Sequence, residues 1–385
     1  MSNLIRVTLI SFLAYAVMSG MLAQIGILIG PISQHFGEET TIVSNQFSWL
    51  TVGILVGSVI SLFIFDYVRI KTLNLLVFTA ITLAIVGFYA VDLYWVNSIL
   101  LGIIGTACGI ALPAAAIVIS RVYTPARRAT MLVITDASFS LSGTFCTALV
   151  VVYLANGLHW SSGYSTVAAL ALVTLVLTAF STFPEVPHED QQTIKQELAS
   201  WPIGIYFCML ALLIYLTGQN FILIWLPNYA QQAISMSASD AGGLISNFWA
   251  GMLGGQLIAA AILIKADTRT MTLLAAILAA FSTIPLWSIN NSNYMPYLTF
   301  CWGFVTLGSL KLILSLATEM VEVPSPRLVS VLLMAATTGT AISPFLSSML
   351  VAATAPSIAL KVGTGCFLLV ILLVVFAYRT ASRNL

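Results

Sequence analysis

The chain has 385 residues, of which 59% are hydrophobic and only 7% are charged, and its formal net charge is +1. Soluble domains average about 45–50% apolar and about 25% charged residues, so this composition cannot supply a water-facing surface. The near-zero net charge also excludes a strong general attraction to nucleic acid. We therefore expect the lipid bilayer to surround most of the chain.

Long apolar runs recur from one end of the chain to the other and predict an all-α membrane protein. A helix needs about 20 apolar residues to cross the hydrocarbon core, where only helices and closed barrels satisfy the backbone. Barrel strands would alternate over about ten residues, which these continuous runs do not do. Twelve spans are predicted, at residues 5–30, 42–65, 72–91, 96–120, 129–155, 161–183, 202–227, 240–264, 271–289, 295–318, 328–353 and 358–379.

The longest polar stretch, residues 184–200, divides the chain almost in half. We predict an N-terminal six-helix bundle at residues 1–183, a cytoplasmic linker at 184–201 and a C-terminal six-helix bundle at 202–385. The two bundles are expected to be pseudo-symmetric, because short motifs recur between them.

These motifs repeat at an offset close to 200 residues. Asp66-Tyr67-Val68-Arg69 follows span two and Asp267-Thr268-Arg269 follows span eight, while Gly57 and Gly255 fit the same shift. A parallel duplication gives such a repeat and places the solute site between the halves, near the midplane. Clustering of basic residues at cytoplasmic helix ends is the alternative explanation for any single pair.

The basic residues predict the orientation. With the N-terminus in the cytoplasm, Lys361 is the one basic residue outside and Lys311 falls within a span. Such a bias toward one side is the positive-inside pattern and predicts a multi-pass membrane protein with both termini cytoplasmic. The residues assigned to the cytoplasmic side are Arg6, Arg69, Lys71, Arg121, Arg127, Arg128, Lys195, Lys265, Arg269, Arg327, Arg379 and Arg383.

Several stretches match patterns of a known family: residues 10–16 (ISFLAYA), the loop Asp66-x-x-Arg69-x-Lys71 preceded by Gly57, residues 135–143 (TDASFSLSG), and residues 215–219 (YLTGQ) with 225–230 (WLPNYA). The chain thereby resembles the major facilitator superfamily, in its TsgA-like branch near the fucose–galactose–glucose:proton symporters. The resemblance implies a transporter of the bacterial inner membrane that works by alternating access, with an inside-closing network between Asp66 and Arg127 or Arg128. The sugar symporters of the wider group carry acidic residues in spans one and four, where this sequence has none.

Two charged residues fall at membrane depth, where ionisable groups are costly and suggest function. Asp136 lies eight residues into span five, and Lys311 lies eight residues from the cytoplasmic end of span ten. At 1.5 Å per residue both lie about 12 Å into their helices. In the superfamily that the chain resembles, spans five and ten face each other, so we predict that the two charges pair across the halves when the cytoplasmic side is closed. The alternative is that each serves a local polar network.

Polar and aromatic residues on spans one, seven, eight and ten are candidates for solute binding, because amides bond donors and acceptors and aromatic rings stack. Interhelical bonding is the alternative use of such residues. Lys311 is a further candidate and should lie about 140° round the helix from Thr306. The other candidates are Gln24, Tyr215, Gln219, Asn220, Asn247, Trp249, Trp302 and Thr306.

Several chemistries are not expected. The sequence has no G-x-x-x-x-G-K-[ST] motif for ATP, and His35, His159 and His188 show no metal-ligand spacing, so we predict no catalytic residue, cofactor or metal. The favoured reading is a monomeric secondary transporter, with a small polar or anionic solute, protons and the bilayer as partners, working as a proton-coupled uptake carrier. An exporter of a metabolite or drug is the alternative within transport, and a membrane enzyme or scaffold is the alternative of another class.

Overall fold

The computed structural model describes residues 2–65, 67–123, 125–184, 201–262, 267–321 and 326–381, and every regular element within these ranges is helical. Eleven helical segments are long and apolar enough to cross a membrane. Span eight, Ala238–Ile262, is a further helix of 25 residues. It contains the polar residues Asp240, Asn247 and Gln256. The predicted count of twelve spans is therefore consistent with the fold.

The first half contains spans one to six. Spans one and two are each broken into two helices, at Gln24 and at Phe47. The helices are Asn3–Ala23 and Ile25–Phe36 in span one, Thr40–Gln46 and Ser48–Ile64 in span two, Ile70–Ala90 in span three, Tyr94–Val122 in span four, Pro125–Ala155 in span five, and a 3₁₀ turn Trp160–Tyr164 with Ser165–Ala179 in span six.

The second half contains spans seven to twelve. Span seven continues seven residues beyond its predicted end at residue 227, because Pro227 is accommodated inside the helix instead of ending it. The helices are Ile203–Ile234 in span seven, Ala238–Ile262 in span eight, Thr268–Thr283 with Pro285–Ser288 in span nine, Met295–Val305 with Ser309–Thr318 in span ten, Pro326–Ala353 in span eleven, and Pro356–Ala381 in span twelve.

The beginning of span one and the end of span six meet at one face of the bundle. Asn3 Nδ2 donates to the Thr182 carbonyl at 2.9 Å, and Arg6 donates to the Phe180 carbonyl. Lys71, in the first turn of span three, donates to the Ala179 carbonyl at 2.9 Å. We call this the terminal face, and the other end of the bundle the opposite face.

Glycines repeat the same close helix contact in both halves. A Cβ added to Gly57 of span two would lie 2.1 Å from the Thr106 carbonyl of span four. A Cβ on Gly255 of span eight would lie 2.0 Å from the Phe304 carbonyl of span ten. Both members of the pair shift by the same 198 residues, from position 57 to 255 and from 106 to 304. The repeat in sequence is thus a repeat in packing, with backbones in contact because no side chain separates them.

The two halves pack together toward the opposite face. Gly26 in span one lies against span seven, where an added Cβ would be 2.5 Å from the Leu223 carbonyl. In a second contact, between spans two and eleven, Thr51 Oγ1 donates to the Ala341 carbonyl at 2.9 Å. Spans five and eight form a third contact, in which Ser246 Oγ donates to the Thr144 carbonyl at 3.1 Å. The seam between spans one and seven is therefore closed toward the opposite face.

Candidate transport site between the two halves

An ion pair joins the two halves at membrane depth. Lys311 Nζ of span ten lies 3.2 Å from Asp136 Oδ1 of span five. Both side chains are partly shielded from water, with 27% of Lys311 and 19% of Asp136 exposed. The equal depths inferred from helix rise thus correspond to a direct contact. In this structure the ion pair is formed while spans one and seven close the opposite face. Formation of the pair therefore does not require the opposite face to be open.

Span eight adds a polar network to the ion pair. Gln256 Nε2 approaches Asp136 Oδ2 at 3.4 Å, and Gln256 Oε1 accepts a hydrogen bond from Ser140 Oγ at 2.9 Å. Ser140 is one helical turn beyond Asp136 on span five, so both face span eight. Tyr15 of span one is buried within electrostatic range of both Asp136 and Lys311. The second carboxylate oxygen therefore has a neutral, hydrogen-bonding partner that is independent of the lysine.

A break in span ten sets the position of Lys311. Leu307 and Gly308 have positive φ angles of 49° and 69°, and a new helix begins at Ser309. The predicted angle of about 140° between Thr306 and Lys311 assumed a continuous helix, and this break contradicts that assumption. Lys311 instead lies in the first turn of Ser309–Thr318. The positive end of that helix and the ammonium group together favour a negative charge beside them.

A chain of aromatic rings extends from the ion pair through the second half. Phe139 of span five contacts Trp249 of span eight, with ring centroids 5.5 Å apart. The chain continues through Phe248 to Trp302, whose ring centroids are 4.2 Å apart, and then reaches Phe367 and Tyr215. Trp249 also packs on Gly143, where an added Cβ would lie 2.8 Å from its ring. The contact of Phe139 with Trp249 thus places aromatic rings at the seam between the halves.

Four predicted residues place buried polar atoms in this region without a hydrogen-bond partner among the described residues. The atoms are Tyr215 Oη, Gln219 Oε1, Trp249 Nε1 and Trp302 Nε1. The Tyr215 hydroxyl lies near Ser309 but does not meet the geometry of a hydrogen bond. It is also within electrostatic range of Asp136. Buried polar groups are almost always paired, so a group of such atoms is a place where a polar solute or water can bind.

The other solute-binding candidates are placed differently. Gln24 is fully buried within the first half, where Nε2 donates to the Gly20 carbonyl and Oε1 faces Gly163. Thr306 donates to the Gly303 carbonyl of its own helix, and Asn220 Nδ2 donates to the Leu216 carbonyl. Asn247 lines a separate cleft of about 690 Å³ near the opposite face. These four side chains are not brought to the ion pair by any contact that the structure describes.

The predicted inside-closing network lies largely outside the described residues. Asp66 is not among them. Arg127 and Arg128 belong to the helix Pro125–Ala155, but their side chains are not described. The network therefore stays a prediction from the resemblance.

Sequence reasoning missed Gln256, Ser140 and Tyr15. Each is a polar residue in an apolar run, and a signal was present for two of them: Tyr15 lies within the family-like stretch 10–16 and Ser140 lies within 135–143. Gln256 follows Gly255 directly, so the close packing of spans eight and ten fixes its direction. Helical periodicity alone does not say which neighbour a polar face meets.

Two of the three histidines meet at the opposite face, although their spacing in sequence gave no metal pattern. His35 ends span one, His159 precedes span six, and Asp92 lies between spans three and four. His35 Nε2 is 2.8 Å from Asp92 Oδ1 and 3.5 Å from His159 Nε2. Burial lowers the pKa of His159, His35 lowers it further and Asp92 opposes the shift, so the neutral form of the His159 ring is favoured.

Comparison with known proteins places this architecture among transporters. The sequence profile of the Major Facilitator Superfamily matches residues 7–325. A "Protein TsgA homolog" from Edwardsiella ictaluri is 28% identical over 386 residues, covering 99% of this chain and 98% of the relative.

Two solved structures share the fold at low sequence identity. A D-xylose–proton symporter superposes with a TM-score of 0.76 and 14% identity, covering 97% of both chains. FucP, in the outward conformation, superposes with a TM-score of 0.70 and 15% identity, covering 98% of this chain and 99% of that one. At this identity the likeness shows the fold alone.

Proposed function

The chain belongs to the Major Facilitator Superfamily, and on this premise we propose that it is a proton-coupled secondary transporter for a small polar or anionic solute. The observation that carries the proposal is the contact of 3.2 Å between Lys311 Nζ and Asp136 Oδ1, which links the two halves. A charge pair at the seam changes its energy whenever the halves move apart. It can therefore bias the balance between the states of an alternating-access cycle.

Asp136 is suited to respond to protons. It is the one carboxylate within the eleven apolar spans of the described chain. Protonation removes its attraction to Lys311, while the contact with the Gln256 amide is available to either form of the carboxyl group. We infer that proton binding at Asp136 releases Lys311 for a solute and lowers the cost of separating the halves.

The chemistry around the pair favours a polar or anionic solute. Lys311 and the start of the helix Ser309–Thr318 attract negative charge. Trp249 Nε1 and Trp302 Nε1 offer donors, and Gln219 Oε1 offers an acceptor. The rings of Trp249 and Trp302 add stacking faces for a flat or ring-shaped solute. The xylose and fucose symporters of similar fold carry solutes of the polar, ring-shaped kind that this arrangement would accept.

The orientation proposed from the basic residues makes the terminal face cytoplasmic. The opposite face, closed between spans one and seven, is then the periplasmic side of a bacterial inner membrane. We propose uptake by a monomer with halves at residues 1–183 and 202–385, joined by a cytoplasmic linker. Export of a metabolite or drug is the alternative, and the direction of solute flux measured below distinguishes the two.

The test uses purified protein reconstituted in liposomes that enclose a pH-sensitive dye. A thermal-shift screen of neutral sugars and small carboxylates first selects a solute that raises Tm. Adding that solute outside should drive protons into wild-type liposomes and cause its uptake along an imposed proton gradient. Asp136→Asn should abolish the proton flux, and Lys311→Gln should weaken binding of the solute.

Matched controls are available on the same chain. Asp240→Asn and Lys361→Gln remove the same groups near the opposite face and should leave both fluxes intact. Solute uptake that ignores the pH gradient and survives Asp136→Asn would overturn proton coupling. Uptake unaffected by Lys311→Gln would remove the proposed solute site.

A further inference from the structure

The cluster of His35, Asp92 and His159 lies apart from the transport site and takes no part in the proposed cycle. Its three residues come from the end of span one and from the two loops before spans four and six, all on the opposite face. One ligand atom from each, two imidazole nitrogens and a carboxylate oxygen, lies within 4.8 Å of the other two. All three side chains are exposed, so an ion from solution can reach them.

The distance between the two imidazole nitrogens is close to that between two ligands of a single metal ion. Imidazole nitrogens at about 2.0–2.1 Å from a tetrahedral Zn²⁺ are about 3.3–3.4 Å apart. His35 Nε2 and His159 Nε2 are 3.5 Å apart, and their rings are nearly perpendicular, at 86°. The third ligand atom is a carboxylate oxygen, whose negative charge attracts a cation. It is Asp92 Oδ1, at 2.8 Å from His35 Nε2. That distance is a hydrogen bond, so Asp92 Oδ1 and His35 Nε2 must separate by a few tenths of an ångström to bind the same ion.

Ser161 orients the His159 ring for this role. His159 Nδ1 lies 2.8 Å from Ser161 Oγ, so an Nδ1–H can donate to that hydroxyl and leave the Nε2 lone pair directed toward His35 and Asp92. Metal-bound histidines usually have such a partner on the other nitrogen. The longer contact of 3.4 Å from the Ser161 N–H to the same Nδ1 is the one that this tautomer gives up.

We propose that His35 Nε2, His159 Nε2 and an Asp92 carboxylate oxygen bind one divalent transition-metal ion, with water in the fourth position. Two imidazoles and one carboxylate form a borderline ligand set that suits Zn²⁺. The ion joins the end of span one to the loops before spans four and six. Span one also contacts span seven at Gly26, so the bound ion restrains the element that closes the opposite face.

In the experiment, ZnCl₂ is titrated into detergent-solubilised full-length protein that carries no histidine tag. Calorimetry of this titration measures the stoichiometry and the affinity. Wild type should bind one Zn²⁺ per chain, and its Tm should rise. Loss of a ligand in His35→Ala or His159→Ala should weaken binding by more than about 100-fold, and Ser161→Ala should weaken it by about 10- to 100-fold. Asp92→Asn, which keeps the size of the side chain, should also weaken binding.

His188→Ala is the matched control, since it removes the third histidine of the sequence and should leave the stoichiometry and affinity unchanged. The Tm of each variant without metal shows whether it is folded. Failure of folded wild type to bind Zn²⁺ saturably would overturn the proposal, and so would binding that survives the double change His35→Ala/His159→Ala. In either case the cluster is a hydrogen-bonded surface network without a metal.

Discussion

Each member of the pair formed by Asp136 and Lys311 makes the other tolerable at membrane depth. Removing one partner of a shielded ion pair leaves an uncompensated charge, whereas removing both can be nearly neutral. The remaining exposure of the two side chains reduces the penalty because water can still reach them.

We therefore expect Lys311→Met alone to destabilise the protein by about 1–3 kcal/mol, below the full cost of a fully buried pair. The double variant Asp136→Asn/Lys311→Met should recover most of that loss. Tm in detergent measures both, and Lys361→Met, at an exposed lysine, is the control with no expected change. Equal Tm values for the single and double variants would show that the ion pair contributes nothing to the fold.

The sequence predicted the charges of the site better than its neutral residues. Asp136 and Lys311 were identifiable because an ion in a span has few reasons to be there. Neutral residues are less informative because an amide or hydroxyl in a helix can donate to a backbone carbonyl of the same helix, as Gln24 and Thr306 both do. Gln256 was missed because its role depends on a neighbouring span, which helical periodicity does not identify.

At the scale of elements, the glycine contacts decide how closely spans pack. Gly255 and its neighbour Gly254 differ in surroundings despite their adjacency. A Cβ on Gly255 would lie 2.0 Å from the Phe304 carbonyl, whereas a Cβ on Gly254 would touch the Phe304 ring at an ordinary 3.5 Å. Backbone cannot move aside as a side chain can, so the two positions should respond oppositely to the same substitution.

Gly255→Ala should destabilise the protein by about 1–3 kcal/mol through overpacking. Gly254→Ala should be neutral or stabilise by up to about 1 kcal/mol, since alanine has the higher helix propensity. Thermal unfolding of both variants in one detergent makes the comparison. A loss of stability in Gly254→Ala equal to that in Gly255→Ala would contradict the contact between spans eight and ten.

The broken helices were harder to predict than the spans themselves. Nothing in the sequence marks Leu307 as a residue with φ of 49°, since leucine rarely adopts that conformation. Gly308 alone is compatible with a continuous membrane helix, where glycine is common. The predicted direction of Lys311 rested on a continuous helix, which the break at Leu307 and Gly308 interrupts.

At the scale of the whole molecule, hydropathy and the 200-residue repeat predicted the fold well. Membrane helices satisfy their own backbones, so their number and length follow from apolar runs with little help from tertiary contacts. The relation between the halves is different, because it depends on contacts such as that of Gly26 with span seven.

Gly26→Ala should force spans one and seven apart and favour the state that is open at the opposite face. Overpacking of about 1–3 kcal/mol corresponds to a shift of roughly five- to 150-fold in the conformational equilibrium. The readout is the labelling rate of Ile27→Cys by a membrane-impermeant maleimide, in a cysteine-free background. Gly30→Ala is the control, since a Cβ there meets nothing within 4 Å. Equal labelling rates in the two variants would show that this seam does not control access.

In the proposed proton-coupled cycle, the ion pair between Asp136 and Lys311 also determines how the membrane potential acts on transport. A neutral pair carries no charge across the field, so the return of the empty carrier is insensitive to voltage. Loading one proton with a neutral solute moves one elementary charge, worth about 2.3 kcal/mol per 100 mV. Loading one proton with a singly charged anion moves none. Voltage should therefore drive the accumulation of a sugar but leave that of a monoanion unchanged, and the electrical response reveals the charge of the solute.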